Sequence, residues 1–275
     1  MSGRLRGIAH ETVSIVERGW YEGPGGVVDI AADVARAVAG TRLYLPGDDL
    51  PGDDLPGADQ PGDQQPGASP GKTAVVEITG ESSLDAARRL GDGVACLNFA
   101  SARNPGGGFL NGAQAQEESI ARSSAIYPSL RAAGDFYAFH RADRGILYTD
   151  RVIHSPAVPV FRDDRGRLLA HPYPVSFLTS AAPNRAMIAR DQPHLLTEVS
   201  GVLIRRARRV LRVAAAHGHR DLVLGAWGCG VFGNDPGEVA RAFAAALADI
   251  PFDRVVFAIL DRRDSVRDVF RAAFA

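Results

Sequence analysis

Lysine is the residue type that this chain of 275 residues most nearly lacks, and cysteine is among the three types that occur only twice. Lys72 is the only lysine, and it borders a segment rich in proline and glycine, which excludes a buried Schiff-base lysine as the catalytic group. The two cysteines, Cys96 and Cys229, lie far apart and form no C-x-x-C pair. We therefore expect neither a disulfide framework nor a thiolate metal site.

Long apolar runs are also missing. The longest clean run, Val255–Leu260, has the length of a strand and is far too short to span a bilayer. No signal-peptide core follows the first residues, so we expect a cytoplasmic protein. The 31 basic residues nearly balance the 32 acidic ones, whereas a domain that holds DNA through its phosphates is normally basic. We expect neither a membrane nor a DNA partner.

The histidines give no clear metal signature. His217 and His219 form the one close pair, within an H-G-H-R-D turn. No carboxylate or cysteine stands at a ligand spacing from this pair, so the sequence predicts no metal site.

Composition divides the chain into three parts. Residues 1–45 begin with apolar residues at helical spacing and are expected to form an N-terminal helical extension packed on the core. Residues 46–71 repeat Pro-Gly at intervals of about five, with six aspartates and no basic residue, which predicts a disordered, solvated insertion. Residues 72–275 carry the remaining strands and helices and form the main domain.

Strand and helix patterns alternate through the main domain. The predicted strands are Thr73–Thr79, Val94–Phe99, Val152–Val160, Val175–Thr179, Asp221–Ala226 and Arg254–Leu260. The predicted helices are Leu84–Leu90, a stretch ending near 125, His194–Ala216, Gly237–Leu247 and a last helix to Ala275. Pro156 and Pro159 make the third strand an edge strand or an extended lip. Five arginines between 205 and 212 are expected on the exposed side of their helix. This alternation predicts an α/β three-layer sandwich whose ligand binds at the carboxyl ends of the strands.

A glycine-rich loop follows the strand predicted at 221–226. Residues Gly228–Gly233 match G-x-G-x-x-G and lead through Asn234 or Asp235, each a good helix N-cap, into Pro236. Glycine lets backbone N–H groups converge on an anion, and the helix N-terminus adds a favourable partial charge. A diphosphate is the expected ligand, and Phe232 is suited to packing on its sugar or base.

Two other interpretations of this loop remain open. A Rossmann dinucleotide site normally opens its domain and needs an acid at the end of the next strand. Here Asp253 stands at about the required distance but at the start of its strand, which argues against hydride transfer. The loop is alternatively a tight turn whose glycines serve packing alone.

A second glycine cluster follows the strand that ends at Phe99. Gly106–Gly108 stand in a row, and Gln116, Glu117 and Glu118 follow after a gap of seven residues. Three consecutive glycines cost backbone entropy and indicate main chain that touches a ligand. Neighbouring carboxylates on a helix point about 100° apart, so one can bind sugar hydroxyls while the other reaches a glycosidic oxygen. An exposed helix start is the alternative for a Glu-Glu pair.

These motifs resemble a known family. Asn98-Phe-Ala-Ser101 with Gly106–Gly108 is similar to the ADP-ribose-binding loop of macrodomains, although Ser101 replaces a second asparagine. The glycine triplet with Gln116-Glu117-Glu118 resembles the signature of bacterial-type poly(ADP-ribose) glycohydrolases, and the similarity extends through 150–162 and 225–234. The resemblance implies a catalytic macrodomain over 72–275, an α/β/α sandwich with a mixed central sheet.

The resemblance also implies a reaction and a set of site residues. Glu118 would be the acid/base and Glu117 would hold the ribose whose 2′-oxygen is the leaving group. The implied substrate-binding residues are Asn98, Asn104, Gly106, Gly107, Gly108, Gln116, Gly228, Cys229, Gly230, Val231, Phe232 and Gly233. The enzyme would hydrolyse ribose–ribose O-glycosidic bonds of poly(ADP-ribose) through an oxocarbenium-like transition state, releasing ADP-ribose. It would need no cofactor or metal, would act as a monomer, and would meet ADP-ribosylated proteins as partners.

Two further functions stay open from the residues alone. A non-catalytic macrodomain that reads ADP-ribose needs both glycine loops but has no need for Glu118. An enzyme for a mono-ADP-ribosyl linkage or O-acetyl-ADP-ribose would use the same loops. The sequence does not distinguish cleavage at chain ends from internal cleavage, and it marks no adenine contacts.

Overall fold

The computed structural model describes residues 2–50, 74–261 and 264–275. Its helices are α1 (Gly3–Arg18), α2 (Ala31–Gly40), α3 (Ser83–Leu90), α4 (Gln116–Ser123), α5 (Ile126–Ala132), α6 (Gly134–Ala142), α7 (Arg185–Asp191), α8 (Val199–Ala216), α9 (Pro236–Asp249) and α10 (Ser265–Ala273). Its strands are β1 (Trp20–Gly23), β2 (Gly26–Asp29), β3 (Arg42–Tyr44), β4 (Val75–Thr79), β5 (Ala95–Phe99), β6 (Val152–Arg162), β7 (Leu168–Ser180), β8 (Asp221–Leu224) and β9 (Arg254–Ala258). No helix in these ranges is both long and apolar enough to cross a membrane.

The central sheet is mixed, and helices cover both of its faces. Its strand order is β3-β6-β7-β5-β8-β9-β4, and the last five strands run parallel while β6 is antiparallel to both neighbours. Buried residues of α1 to α6 pack on one face, and those of α7 to α10 pack on the other. The predicted three-layer α/β/α sandwich is therefore confirmed.

Strand β5 shows why the sequence of a central strand is a continuous apolar run. Cys96 belongs to the core on one face, whereas Ala95 and Leu97 belong to the core on the other, and all three are fully buried. A strand covered by helices on both sides needs apolar residues at every position. Its carboxyl end at Phe99 leads directly into the first glycine cluster.

The prediction that the strand near 152–160 is an edge strand or an extended lip is wrong for its first residues, which pair with β3. Strand β6 lies between β3 and β7, and it pairs with β3 only through residues 152–154. Pro156 and Pro159 lie beyond that short pairing, and the register with β7 shifts between Ser155 and Val158. The prolines are tolerated because β3 demands no backbone hydrogen bond from them.

The N-terminal segment contributes more than a helix. It adds the β1–β2 hairpin, α2 and the edge strand β3 of the main sheet. Pro46–Leu50, expected to begin the disordered insertion, pack instead on α8: Arg209 donates to the carbonyls of Leu45 and Asp48, and Leu50 is buried. Residues 51–71 lie outside the described residues, and the expectation of disorder there stays a prediction.

Helix α8 differs from its prediction in two ways. It starts at Val199, after a 3₁₀ turn over Pro193–Glu198. Its arginines do not all face solvent, because Arg206 is fully buried and donates to Asp150 at 3.0 Å and to the carbonyl of Ala181 at 2.6 Å. An apolar-looking helix face can therefore include an arginine when a carboxylate reaches it.

Candidate active site

Loop 1, residues 100–115, connects β5 to α4 and carries the glycine triplet. Gly106 and Gly107 have φ angles of 70° and 59°, a region that favours glycine. The Gly107 N–H donates to the carbonyl of Asn104 at 2.9 Å. A Cβ atom on Gly107 would overlap the Glu118 carboxylate and crowd that of Glu117. Glycine is therefore required at 107 by the two glutamates as well as by the backbone.

Gln116 fixes the start of α4 against β5. Its side-chain N–H₂ donates to the carbonyl of Leu97 at 2.7 Å and to the hydroxyl of Ser83 at 3.2 Å. Its side-chain oxygen accepts the N–H of Phe99 at 2.9 Å. The amide is thus occupied within the protein, and it positions the two glutamates that follow.

Glu117 is a buried carboxyl, only 2 % exposed. It accepts the backbone N–H of Ser101 at 2.6 Å and the side-chain amide of Asn98 at 3.4 Å. Burial raises its pKa to about 8, and the neighbouring charge of Glu118 adds to the rise, while the bond from Ser101 opposes it. The Glu117 carboxyl is therefore mostly protonated at neutral pH.

Glu118 has different surroundings from its neighbour. It is half-buried, and its carboxylate accepts the backbone N–H of Gly108 at 3.0 Å. One turn later, Arg122 donates to the carbonyl of Ala113 at 2.6 Å and ties α4 to loop 1. The two adjacent carboxyls thus differ in burial, which suits them to different roles.

The two predicted asparagines differ in exposure. Asn98 is fully buried and donates to the hydroxyl of Thr179 at 3.1 Å as well as to Glu117, and its side-chain oxygen has no partner among the described residues. Asn104 is exposed, and its backbone N–H donates to Ser101 at 3.3 Å. Only Asn98 holds a carboxyl of the site.

Loop 2, residues 225–235, is a series of tight turns. Gly228 has a φ angle of 72°, and a Cβ there would overlap the amide of Asn234, which donates to the carbonyl of Pro183 at 3.0 Å. Asp235 caps α9 by accepting the N–H of Glu238, and Pro236 is the first helical residue. The predicted strand–turn–helix unit is confirmed.

A cleft of about 800 Å³ lies over the carboxyl ends of the strands. Phe99, Ala100, Gln116 and the loop 2 residues 226–232 line one part of it. On α4 the lining includes Gln116 and several residues from Ser119 to Ser123 but neither of the two glutamates between them, and it also excludes Asn98, Asn104, Gly106–Gly108 and Gly233. The glycine triplet and the two carboxylates therefore flank this cleft, whereas the two ends of loop 1 and most of loop 2 form its wall.

The far end of the cleft was not assigned from the sequence. It is lined by Ser82–Leu84 after β4 and Ala258–Asp261 after β9. Both segments follow the carboxyl ends of parallel strands, where ligands of such sheets bind, so strand topology was the signal that would have found them.

Three residues of loop 2, Cys229, Val231 and Phe232, differ in burial and in their neighbours. Burial raises the pKa of the Cys229 thiol to about 12, so it remains a thiol and is unsuited to act as a nucleophile. Val231 is 86 % exposed and lines the cleft. The Phe232 ring lies 6.2 Å from that of Tyr148, a residue with a φ angle of 58° that the sequence did not single out.

His217 and His219 pack against a third histidine, His154 of β6. The ring of His217 stacks on that of His154 at 3.6 Å, and Nε2 of His219 lies 3.0 Å from Nε2 of His154. Within the described ranges, no group of three or more histidines, cysteines or carboxylates is arranged to hold a metal ion.

Comparison with known proteins gives a consistent result. The family described as "Microbial-type PARG, catalytic domain" matches residues 9–163. A search of curated protein sequences gave no significant match. Among solved structures, poly(ADP-ribose) glycohydrolase from Thermomonospora curvata is 50% identical over 99% of this chain and 100% of that one, with a TM-score of 0.86. Its complex with the inhibitor ADP-HPD is 49% identical over 98% and 99% of the two chains, with a TM-score of 0.84.

A second organism gives a similar match. The glycohydrolase from Deinococcus radiodurans in complex with ADP-ribose is 43% identical over 88% of this chain and 96% of that one, with a TM-score of 0.75. The family match spans more than half of the chain, and the structural matches cover nearly all of it. The chain therefore belongs to the family of microbial-type poly(ADP-ribose) glycohydrolases.

Proposed function

We propose that this protein hydrolyses the ribose–ribose O-glycosidic bonds of poly(ADP-ribose) and releases ADP-ribose, with Glu118 as the acid/base. The observation that carries the proposal is the pair of carboxyls at loop 1, one buried and one half-buried, beside a cleft walled by loop 2. The related glycohydrolases include one solved with ADP-ribose and one with an inhibitor, which supports an ADP-ribose unit as the ligand of this cleft.

The chemical step breaks the bond between C1″ of one unit and the 2′-oxygen of the unit before it. Glu118 gives its proton to the departing oxygen, and positive charge develops at C1″. The resulting carboxylate then takes a proton from water, whose oxygen bonds to C1″. Glu118 is thereby restored, and the products are ADP-ribose and a shortened polymer.

Loop 2 would supply the electrostatic part of the mechanism. Its turns present backbone N–H groups, and α9 begins directly after them, so a diphosphate bound there meets a favourable partial positive charge. The bound diphosphate stabilises the cation that forms at the neighbouring C1″. Phe232 would pack against the distal ribose and hold C1″ toward loop 1.

Glu117 would bind the ribose at the cleaved bond without adding a second negative charge. Its raised pKa keeps it protonated, so it can donate to a ribose hydroxyl while still accepting the Ser101 N–H. A protonated neighbour also avoids repulsion when Glu118 becomes a carboxylate. No step of this scheme needs a metal or a cofactor.

The same reasoning extends to partners and compartment. We propose that ADP-ribosylated proteins present the polymer to this enzyme, and that it acts as a monomer in the cytoplasm. Both cysteines are free, which suits a reducing compartment.

The test compares substrates on the wild-type protein. We expect release of ADP-ribose from poly(ADP-ribose), with much slower turnover of a mono-ADP-ribosylated protein and of O-acetyl-ADP-ribose. Binding of ADP-ribose by calorimetry with no release from polymer would replace the enzyme by a reader of ADP-ribose. Faster turnover of either alternative substrate would redirect the assignment to that linkage.

A further inference from the structure

Four arginines that make no ion pair within the described residues occur in loop 1, around the end of α6 and directly before β6. This arginine rim consists of Arg103 in loop 1, Arg141 and Arg144 at and after the end of α6, and Arg151 before β6. None of the four makes a salt bridge within the part of the chain that the structure describes, although many other arginines do. Arg141 and Arg144 are exposed, and the other two are half-buried.

Hydrogen bonds to backbone carbonyls hold the rim together. Arg103 donates through Nε to the carbonyl of His140 at 3.2 Å. Arg141 donates through Nη1 to the carbonyl of Arg103 at 2.9 Å. These bonds join loop 1 to α6 while leaving both guanidinium charges without a carboxylate partner.

A buried histidine organises the inner side of the rim. His140 Nδ1 lies 2.8 Å from the carbonyl of Phe136, which can only accept, so Nδ1 carries the proton. Its Nε2 then accepts the hydroxyl of Thr149 at 2.8 Å, and Arg151 donates to that hydroxyl at 3.2 Å. Burial lowers the pKa of His140 to about 4, so the ring adds no charge. The Arg151 guanidinium also stacks 3.5 Å from the Phe139 ring centroid, which fixes its direction.

The position of the rim relates it to the scissile bond. Arg103 directly precedes Asn104 and the glycine triplet that contacts Glu118. Tyr148 lies between the arginine rim and loop 2, since its ring lies 5.7 Å from that of His140 and 6.2 Å from that of Phe232. The rim therefore lies on the side of the site that carries loop 1 and Phe232.

The local charge balance is positive. Asp143 is the carboxylate next to Arg151, and it accepts the backbone N–H of Gly145 at 3.1 Å. Asp150 is occupied by Arg205 and Arg206 on the other side of the sheet. Residues 141–151 thus carry one carboxylate outside an ion pair, Asp143, against the three arginines Arg141, Arg144 and Arg151, a charge balance suited to a multiply charged anion.

We infer that the arginine rim binds the diphosphate of the polymer unit that carries the leaving 2′-oxygen. The inference rests on the proposed function and adds a second recognition site to it, outside the cleft that holds the released ADP-ribose unit. Guanidinium groups bind phosphate oxygens through paired N–H donors, and four such groups can follow a flexible diphosphate. The rim would favour polymer over a single ADP-ribose attached to protein, because only polymer carries this diphosphate.

The experiment uses the double variant Arg141→Gln with Arg144→Gln. Glutamine removes both charges and keeps a polar side chain at each position; kcat and the Kd of ADP-ribose report any effect of losing the Arg141 bond to loop 1. The matched control is Arg36→Gln with Arg208→Gln, which removes two exposed arginine charges on α2 and α8. Steady-state kinetics on poly(ADP-ribose) and calorimetric binding of free ADP-ribose are measured for all three proteins.

We expect KM for polymer to rise by roughly 2- to 30-fold in the rim variant, as two exposed charge pairs would give. The slope of log KM against log salt should fall by about 1.4, corresponding to two lost phosphate contacts. Neither kcat nor the Kd of ADP-ribose should change, because ADP-ribose lacks the leaving unit.

Other results would overturn the inference. A polymer KM equal to that of the control variant would show that the rim does not touch substrate. Equal rises in KM and in the Kd of ADP-ribose would place the arginines in the cleft itself. Absence of turnover by the wild type would instead remove the proposed function, which separates that failure from failure of the rim.

Discussion

At the scale of single residues, Gly107 has the least freedom to change. Its φ angle is 59°, and a side chain there would overlap the carboxylate of Glu118. Nearby, the side-chain amide of Gln116 is fully hydrogen-bonded, to backbone groups of β5 and to the hydroxyl of Ser83. The sequence predicted that glycine and the Gln-Glu-Glu segment matter, but only the fold shows that Gly107 makes room for carboxylates and that Gln116 positions them.

Gly107→Ala should cost more activity than stability. The added methyl displaces Glu118, and kcat on polymer should fall by at least tenfold, while alanine at positive φ costs about 1–2 kcal/mol of unfolding free energy. The control is Gly218→Ala, which has a φ angle of 74° with open space around its Cβ position. Urea denaturation should give similar losses for both variants, and only the Gly218 variant should keep wild-type kcat. Equal activity in the two would refute the steric account of Gly107.

Glu117→Gln should change how stability depends on pH. Because the folded pKa is raised to about 8, the folded state keeps a proton that the unfolded state loses above about pH 4.5. This group therefore contributes a loss of stability as pH rises from about 4.5 to 8, at most about 1.4 kcal/mol per pH unit. The variant lacks that loss. The unfolding free energy of the variant minus that of the wild type should therefore increase as pH rises across this range.

The measurement is urea denaturation at four pH values between 5 and 8. Glu17→Gln, at an exposed position of α1, is the charge-matched control and should follow the wild type. A constant difference between the Glu117 variant and the wild type at all four values would mean that the buried carboxyl does not hold the extra proton.

At the scale of elements, a histidine cluster of His154, His217 and His219 connects elements at one edge of the sheet. His219 Nδ1 lies 2.8 Å from the carbonyl of Gly93 and must donate to it, so its Nε2 accepts from Nε2 of His154 at 3.0 Å. His217 stacks on His154 and pairs with the hydroxyl of Tyr44 at 2.8 Å. The cluster joins β3, β6 and the end of α8, and this arrangement requires the His219 ring to be neutral.

The cluster should make the protein sensitive to acid. Burial is the largest cause that lowers the pKa of each histidine, to about 3 for His154. The charge of Arg42 also lowers the pKa of His217, while Arg42, Arg209 and Asp48 all act on the neighbouring Tyr44. The unfolded state gains protons below about pH 6.5 and the folded state does not, so stability falls as pH falls below that value. His154→Gln should flatten the decline between pH 6.5 and 4.5 by up to about 1.4 kcal/mol per pH unit.

The control for this prediction is His171→Gln, at an exposed position of β7. Unfolding free energies of wild type and both variants are followed by urea denaturation through the acid range. An unchanged slope in His154→Gln would show that His154 titrates in the folded state as it does in the unfolded chain.

Elements were predicted well where one pattern decides them. Strand β5 and the Asp235–Pro236 start of α9 follow from apolar runs and capping residues. Strand β6 was misplaced because its prolines suggested an edge, whereas the real edge is supplied by β3, far away in sequence. The hairpin β1–β2 and helix α2 were not singled out, since short elements carry weak periodicity.

At the scale of the whole molecule, a buried ion pair joins α8 to the segment that leads into β6. Asp150 reaches the fully buried Arg206 at 3.0 Å, and Arg206 also donates to the carbonyl of Ala181 after β7. Removing one partner of a buried pair leaves an uncompensated charge in the interior. No local sequence pattern reveals such a pair, because its members are separated along the chain by several elements.

Asp150→Asn should therefore destabilise the protein by about 3–5 kcal/mol. The control, Asp249→Asn, removes the exposed carboxylate that pairs with Arg208 and should cost about 0–1 kcal/mol. Thermal and urea denaturation of the two variants give the comparison. Similar losses in both would show that the buried pair contributes no more than an exposed one.

The central claim is that Glu118 performs the proton transfers of poly(ADP-ribose) hydrolysis. The most direct measurement is the rate of ADP-ribose release from polymer by Glu118→Gln and by the wild type, with the Kd of ADP-ribose for each. We predict a loss of about 10²- to 10⁴-fold in kcat, as removal of a general acid/base gives, and a Kd within about threefold of wild type. Turnover within tenfold of wild type by Glu118→Gln would contradict the claim and transfer the role to another group.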